Sequence, residues 1–169
     1  MKFMILILLY SFCIKTASSQ KFEINANGFF INSQKITRAT TRADLRTLLG
    51  NPEQMKIGIN TIAGFYHTLG VKIYFHAVDS FASSVSLYFV ILSGKFAVKS
   101  TFSGSILVFG NEITNATSLS DVLKIKELNV DTKTGLPIAN VADFRILFLQ
   151  PNEMRTLQSI AFLLSKEGE

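Results

Sequence analysis

His67 and His76 are the only histidines in the 169-residue chain, nine residues apart on neighbouring predicted strands. A metal centre needs a third ligand, and no carboxylate stands at a recognisable spacing from the pair. Both read as strand histidines. The single cysteine, Cys13, lies in the apolar opening segment, so the rest of the chain has no thiolate nucleophile, cysteine ligand or disulfide. Ser103-Gly104-Ser105 lacks the Gly-x-Ser-x-Gly pattern of a nucleophile elbow and belongs to a predicted strand. A serine triad is assembled in space, so counting does not exclude one, but every serine here has a simpler role in a turn or cap. Asp44 and Asp121 read as helix caps, and Asp79, Asp131 and Glu127 as loop or surface charges. Gly50, Gly58, Gly64 and Gly70 do not form a phosphate-cradling loop before a helix. Lys124, Lys126 and Lys133 form a basic cluster that complements a helix end. The chain is therefore expected to be no enzyme and to hold no cofactor or metal. A hydrolase with a spatially assembled site is the alternative.

The side chains with the most to offer are aromatic. Val71, Ile73 and Phe75 alternate with Lys72, Tyr74 and His76, the period of a half-buried strand. If the first set faces the core, the second faces away. Tyr88, with Ser84 and Ser86, faces away on the next strand, and Tyr66 is assigned to the same surface. The corresponding surface later in the chain is Arg145, Leu147, Leu149, Ala161 and Leu163. Tyrosine on a rigid sheet anchors interfaces, and apolar patches on soluble proteins are usually covered. The expected partner-binding residues are Tyr66, Lys72, Tyr74, His76, Tyr88, Arg145, Leu147 and Leu149.

The elements that position them occur twice. Ile36-Thr37-Arg38-Ala39-Thr40 recurs as Ile113-Thr114-Asn115-Ala116-Thr117, and Asp44 as Asp121, at an offset of 77. Val71–Phe75 recurs as Phe144–Phe148 at an offset of 73. Each copy opens with two short strands around a turn, Phe29–Ile31 and Lys35–Ile36, then Ile106–Val108 and Glu112–Ile113, with Asn or Gly at the tip. A helix with a capping-box pattern follows, at Thr41 to Asp44 and at Ser118 to Asp121. Leu45, Leu48 and Leu49 give the first an apolar stripe that Gly50 and Pro52 end. Three strands close each copy: Thr61–His67, Val71–Ala77 and Val85–Leu92, then Ile138–Ala142, Phe144–Leu149 and Gln158–Leu164. The last segment also satisfies helical spacing and is assigned as strand because its counterpart is rich in β-favoured residues. The expected fold is α+β: two tandem ββαβββ repeats, antiparallel sheets with helices packed on one face. Repeat one occupies 20–93, a join 94–100, and repeat two 101–169.

Residues 1–19 read as an export signal: Lys2, an apolar run from Met4 to Ile14 too short to span a bilayer, then Ala17-Ser18-Ser19. Its removal takes away Lys2 and Lys15, so the net charge falls from +5 to +3. That weak field suits solubility rather than binding of nucleic acid or an anionic membrane. A periplasmic or secreted location is expected, with no disulfide and a core built largely on the chain's 15 phenylalanines.

The run Thr40-Thr41-Arg42-Ala43-Asp44-Leu45, with Leu49-Gly50-Asn51-Pro52, Asn60-Thr61 and Leu69-Gly70-Val71, is similar to an uncharacterised bacterial family of exported β-sheet domains. The match covers most of repeat one. Repeat two lacks the Leu-Gly-x-Pro and Leu-Gly elements. That resemblance implies a fold and no activity. The layout also resembles the tandem-repeat β-lactamase inhibitor protein, whose paired units form a concave aromatic surface that grips an enzyme, although its disulfides have no counterpart here. The expected function is a non-catalytic, inhibitor- or immunity-like protein-binding module. Its partner would be another protein, such as an exported enzyme or toxin. No nucleic acid, and no membrane after signal cleavage, is expected. The alternative is an envelope protein that self-associates as a homo-oligomer.

Overall fold

The structure is a computed structural model that describes residues 20–91, 93–94, 97–133, 135–151 and 154–164. The signal segment falls outside the described residues. The strands are β1 (Lys21–Asn25), β2 (Gly28–Ile31), β3 (Gln34–Ile36), β4 (Gln54–Ile57), β5 (Thr61–Tyr66), β6 (Val71–His76), β7 (Ala82–Tyr88), β8 (Ser105–Val108), β9 (Asn111–Ile113), β10 (Val130–Asp131), β11 (Ile138–Val141), β12 (Phe144–Leu149) and β13 (Ser159–Leu164). Helix α1 (Arg42–Leu49) follows β3, and α2 (Leu119–Val122) follows β9.

The strands form two sheets. The small one has five strands in the order β3-β2-β1-β8-β9, and the large one eight, β10-β11-β12-β13-β7-β6-β5-β4. Every pair in the large sheet is antiparallel. The small sheet contains one parallel pair, β1 with β8.

The inner faces of the two sheets share one core. Phe22, Ile24, Phe29, Ile31, Ile106 and Val108 from the small sheet belong to the same buried cluster as Val71, Ile73, Val85, Leu87, Phe144, Ile146, Ile160 and Phe162 from the large one. Alternation along each strand produces this arrangement, because side chains two residues apart face the same side. Across the two sheets Phe29 stacks on Phe162, with ring centroids 4.3 Å apart and planes at 17°. Phe144 completes the group at 6.0 Å from Phe29 and 6.4 Å from Phe162.

This arrangement overturns the expected α+β architecture. The protein is mostly β, and what covers the large sheet is the second sheet rather than a layer of helices. The helices are too small for that task. Gly50 and Pro52 stop α1 after eight residues, and α2 makes a single turn of four. Each helix instead links an edge strand of the small sheet to an edge strand of the large one, β3 to β4 and β9 to β10. They contribute Leu45, Leu49 and Val122 to the core. Strands β1, β4 and β10 were not anticipated. β1 pairs with β8 across more than eighty residues, and no local pattern encodes such a contact. The final segment is strand, as β13.

The element order β2-β3-α1-β4-β5-β6-β7 recurs as β8-β9-α2-β10-β11-β12-β13. The hydrogen bonds of the recurring sequence recur with it. Thr40 Oγ1 accepts from Thr37 N at 2.9 Å, and Thr117 Oγ1 from Thr114 N at 3.0 Å. Asp44 N donates to Thr41 Oγ1 and Thr41 N to Asp44 Oδ2, at 3.2 and 2.8 Å. Ser118 and Asp121 repeat that exchange at 3.2 and 3.1 Å. Both helices thus open on a closed capping box.

These caps carry a pH dependence. The Thr41 hydroxyl and amide hold the Asp44 carboxyl below the usual range. Lys124, then the Ser118 hydroxyl and amide, do the same for Asp121. A carboxyl depressed in the folded state contributes stability above its unfolded pKa of about 3.9 and loses it as the pH falls through the folded value. The protein should therefore melt at progressively lower temperature below about pH 4. An Asp44→Asn/Asp121→Asn variant should show a flatter acid limb in thermal melts. An unchanged limb would remove the caps as its source.

Just after the join, the chain passes over a glycine. Gly70 has φ +67°, and a Cβ there would lie 2.2 Å from Phe102 N and 2.3 Å from the Thr101 carbonyl carbon. Only a residue with no side chain lets backbone 101–102 pass this closely.

Candidate functional site

The register of the large sheet decides which side chains share its outer side. Phe65 pairs with Lys72, Lys72 with Ser86, Ser86 with Ala161, Ala161 with Leu147, and Leu147 with Ile138. The next row runs Ala63, Tyr74, Ser84, Leu163, Arg145 and Asn140. A third is Tyr88, Ser159 and Leu149. His76 joins through its partner Thr61. Seven of the eight residues expected at the partner surface therefore lie on one side of one sheet. The two surfaces expected from separate copies are continuous, because β7 and β13 are neighbours.

Tyr66 is the exception. It lies on the same side as Ile62, facing the core, and is 2% exposed. Burial pushes its hydroxyl pKa up to about 12, and the hydroxyl has no hydrogen-bond partner among the described residues. The expectation placed it one residue out of step, and its neighbour Phe65 occupies the outer side instead. The β5 alternation Thr61-Ala63-Phe65 against Ile62-Gly64-Tyr66 was the available signal, and a one-residue slip exchanges the two faces.

Lys72 lies on the expected outer side but is covered there. It is 5% exposed, with Nζ 4.5 Å from the centre of the Tyr74 ring and 5.2 Å from that of Phe65. Two π faces flank the ammonium, which stabilises a cation removed from bulk water. Lys56 Nζ sits 5.2 Å from the Phe65 ring.

The β5–β7 half of this surface is partly roofed. Val98 packs on Ala63 and Phe65, with Tyr74 and Tyr88 against the same cluster. Ser100 Oγ donates to the His67 carbonyl, and Phe102 N to the Tyr88 carbonyl. Burial raises the Tyr88 pKa, with Tyr74 adding to the rise. Tyr74, His76 and Tyr88 keep part of their surface open, as do Leu147, Leu149 and Leu163, while Arg145 is exposed. Phe65 and Val98 were not foreseen. Val98 belongs to the join, where no periodicity marks a contact.

The histidines do not converge. His67 is 8% exposed, stacks on Phe65 at 5.6 Å and has Nε2 3.2 Å from Gln54 Oε1. The turn beneath it is pinned by Glu53, whose carboxylate accepts from His67 N at 2.8 Å, Thr68 N at 3.1 Å and Thr68 Oγ1 at 2.5 Å. Burial pushes the Glu53 carboxyl up. The hydrogen bonds from the Thr68 hydroxyl and backbone amides outweigh it and leave the pKa below the usual value. Among the described residues, no group of three His, Cys, Asp or Glu side chains could hold a metal ion.

The outer side of the small sheet contrasts with this surface. Glu23 lies between Phe30 and Leu107, and those two pair with Lys35 and Glu112. Glu23 also accepts Lys21 Nζ at 3.0 Å. Charges alternate with apolar groups there, as on a solvated face.

No curated protein matches the chain. Among solved structures, an extracellular protein containing a SCP domain from Bacillus anthracis str. Ames is similar over 76% of this chain and 44% of that one, at 10% identity and a TM-score of 0.49. This chain thus spans less than half the length of that protein. No described helix is long and apolar enough to cross a membrane. Residues 21–123, which hold the whole small sheet, both helices and strands β4–β7, match the family described as "Domain of unknown function (DUF7738)", and the chain belongs to that family.

Proposed function

We propose that this chain is an exported, non-catalytic binding module that holds another protein, such as an exported enzyme or toxin, on the outer side of its eight-stranded sheet. One observation carries the reading. Strand register gathers Tyr74, Tyr88, Leu147, Leu149, Leu163 and Arg145 on a single continuous surface opposite the shared core. An antiparallel sheet backed by a packed core is a rigid platform, and rigid tyrosines among aliphatic groups lose little entropy on binding. Four of the titratable side chains have structural roles: Asp44 and Asp121 cap helices, Glu53 pins a turn, and His67 is stacked and buried.

Export rests on the leader-like residues 1–19 and on the absence of cysteine thereafter. A duplicated unit, supported by the recurring caps and element order, accounts for a sheet wide enough to serve as the platform. A second reading, self-association through this surface, is favoured by the aliphatic set Ala161, Leu147, Leu149 and Leu163.

The test is partner capture from the source cell's envelope with the chain from Gln20 and with a Tyr74→Ala/Tyr88→Ala variant. A partner retained by the first and lost by the second is the expected result. An identical set of partners rejects the surface. Sedimentation over a wide concentration range tests the second reading, which a stable monomer excludes.

A further inference from the structure

The large sheet ends on β4 at one side and β10 at the other, and the small sheet on β3 and β9. An edge strand presents backbone groups that another strand can pair with, and proteins blunt such edges by keeping them short or charged. β10 is two residues long and ends on Asp131. β3 and β9 are three residues each, with Lys35 and Glu112 at their centres. β4 is the longest of these edges, with the four residues Gln54-Met55-Lys56-Ile57.

Register decides which groups of β4 can pair further. Gly58 N donates to the Thr61 carbonyl at 2.8 Å, closing the β4–β5 hairpin, and Met55 and Ile57 stand opposite Gly64 and Ile62. Bonded and non-bonded pairs alternate along an antiparallel ladder. The bonded pairs are therefore Lys56 with Ala63 and Gln54 with Phe65. The N–H and C=O groups of Met55 and Ile57 point the other way, to the open edge of the sheet. Their side chains share the core side with Gly64 and Ile62, and a Cβ on Gly64 would lie 3.4 Å from Met55 Sδ. Yet Met55 is 37% exposed and Ile57 82%, so the second sheet does not cover the core side of β4. Four backbone groups and two apolar side chains are thus presented in the register of one more strand.

Backbone donors and acceptors at that spacing select an extended chain. A second copy of this protein fits badly. The antiparallel register that engages Met55 and Ile57 of both copies sets Lys56 directly opposite the partner's Lys56, and like charges directly opposite are destabilising. An acidic residue at that position makes the same cross-strand contact favourable. We propose that β4 is a peptide-docking edge: an extended segment of another protein adds to it as an antiparallel ninth strand, with aliphatic side chains beside Met55 and Ile57 and an acidic one opposite Lys56.

The probe is an acetylated, amidated peptide of sequence Thr-Val-Glu-Val-Thr, mixed at millimolar concentration with the isotope-labelled chain from Gln20. Amide exchange followed by NMR should slow at Met55 and Ile57 and stay unchanged at Lys56 and Ala63, whose amides already lie within the ladder. The same peptide N-methylated at both valines should not bind. Met55→Pro removes one outward donor and no ladder bond, so it should bind the probe about tenfold more weakly at an unchanged melting temperature. Lys56→Glu should lose the glutamate peptide and take up Thr-Val-Lys-Val-Thr, which keeps the test decisive if the proline variant does not fold. Tyr74→Ala/Tyr88→Ala should bind the probe as the parent does, which separates this edge from the partner surface. Unchanged exchange at Met55 and Ile57, or equal binding of the methylated peptide, overturns the proposal. So does a peptide-free dimer in sedimentation that already protects those two amides, which would assign the edge to a second copy.

Discussion

Replacing Phe162 with alanine lowers the unfolding free energy by about 3–5 kcal/mol, the usual cost of removing a fully buried phenylalanine. Phe162 is 0% exposed and touches both layers. Its ring stacks on Phe29 of the small sheet at 4.3 Å and meets Phe144 of the large sheet at 6.4 Å. Phe29 is in turn 6.1 Å from Phe22, which meets Phe102 edge-on at 5.2 Å. One chain of rings thus runs from Phe102 through the small sheet to the large one. A domain of this size is stable by about 5–15 kcal/mol, so the substitution removes a large share. The aromatic pair should couple by about 0.5–1.5 kcal/mol in a Phe29→Ala/Phe162→Ala cycle. Urea melts measure both. A loss below about 1 kcal/mol for Phe162→Ala would mean that the sheets are not held together through these rings.

If the outer side of the large sheet is the proposed binding surface, replacing Tyr74 and Tyr88 with alanine should weaken partner binding by at least about a hundredfold. Buried aromatic anchors at an interface cost about 2 kcal/mol or more each when truncated, and a factor of ten is about 1.4 kcal/mol. Both tyrosines also pack against the small cluster of Ala63, Phe65 and Val98, so the variant loses some stability. Leu163→Asp supplies the control. It places a carboxylate on the same surface, between Ser84 and Arg145, outside that cluster. Binding should fall comparably with both variants while each still melts cooperatively. Full binding by Leu163→Asp would confine the interface to the tyrosine half of the sheet.

Short-range signals carried well from sequence to structure. The two capping boxes are closed where hydroxyl and aspartate stand three residues apart. The alternation Lys72-Tyr74-His76 marks an outer side because period two admits one assignment once Val71, Ile73 and Phe75 are buried. Tyr66 went astray because β5 is apolar on both sides: Ile62, Ala63, Phe65 and Tyr66 are all buried, so hydropathy alone does not set its parity. Lys72 keeps the side that the alternation gives it but is buried there, because a lysine between two rings sheds its water; Tyr74 stands two residues along the same strand, while Phe65 comes from across the strand pair, which the sequence does not display. The layer order was illegible for a related reason. Leu45 and Leu49 give α1 a core-facing stripe that would suit a helix laid across a sheet as well as one at a sandwich edge. The choice was made by the apolar small sheet, which β1 completes through its distant parallel pairing with β8.

The most direct test of the partner surface is site-specific photo-crosslinking in the native envelope. A crosslinking side chain at position 163 reports the outer side of the large sheet, and one at Glu112 reports the outer side of the small sheet. The account predicts a discrete adduct from position 163 that disappears in the Tyr74→Ala/Tyr88→Ala background, and none from position 112. An adduct from position 112 with none from position 163 would contradict it.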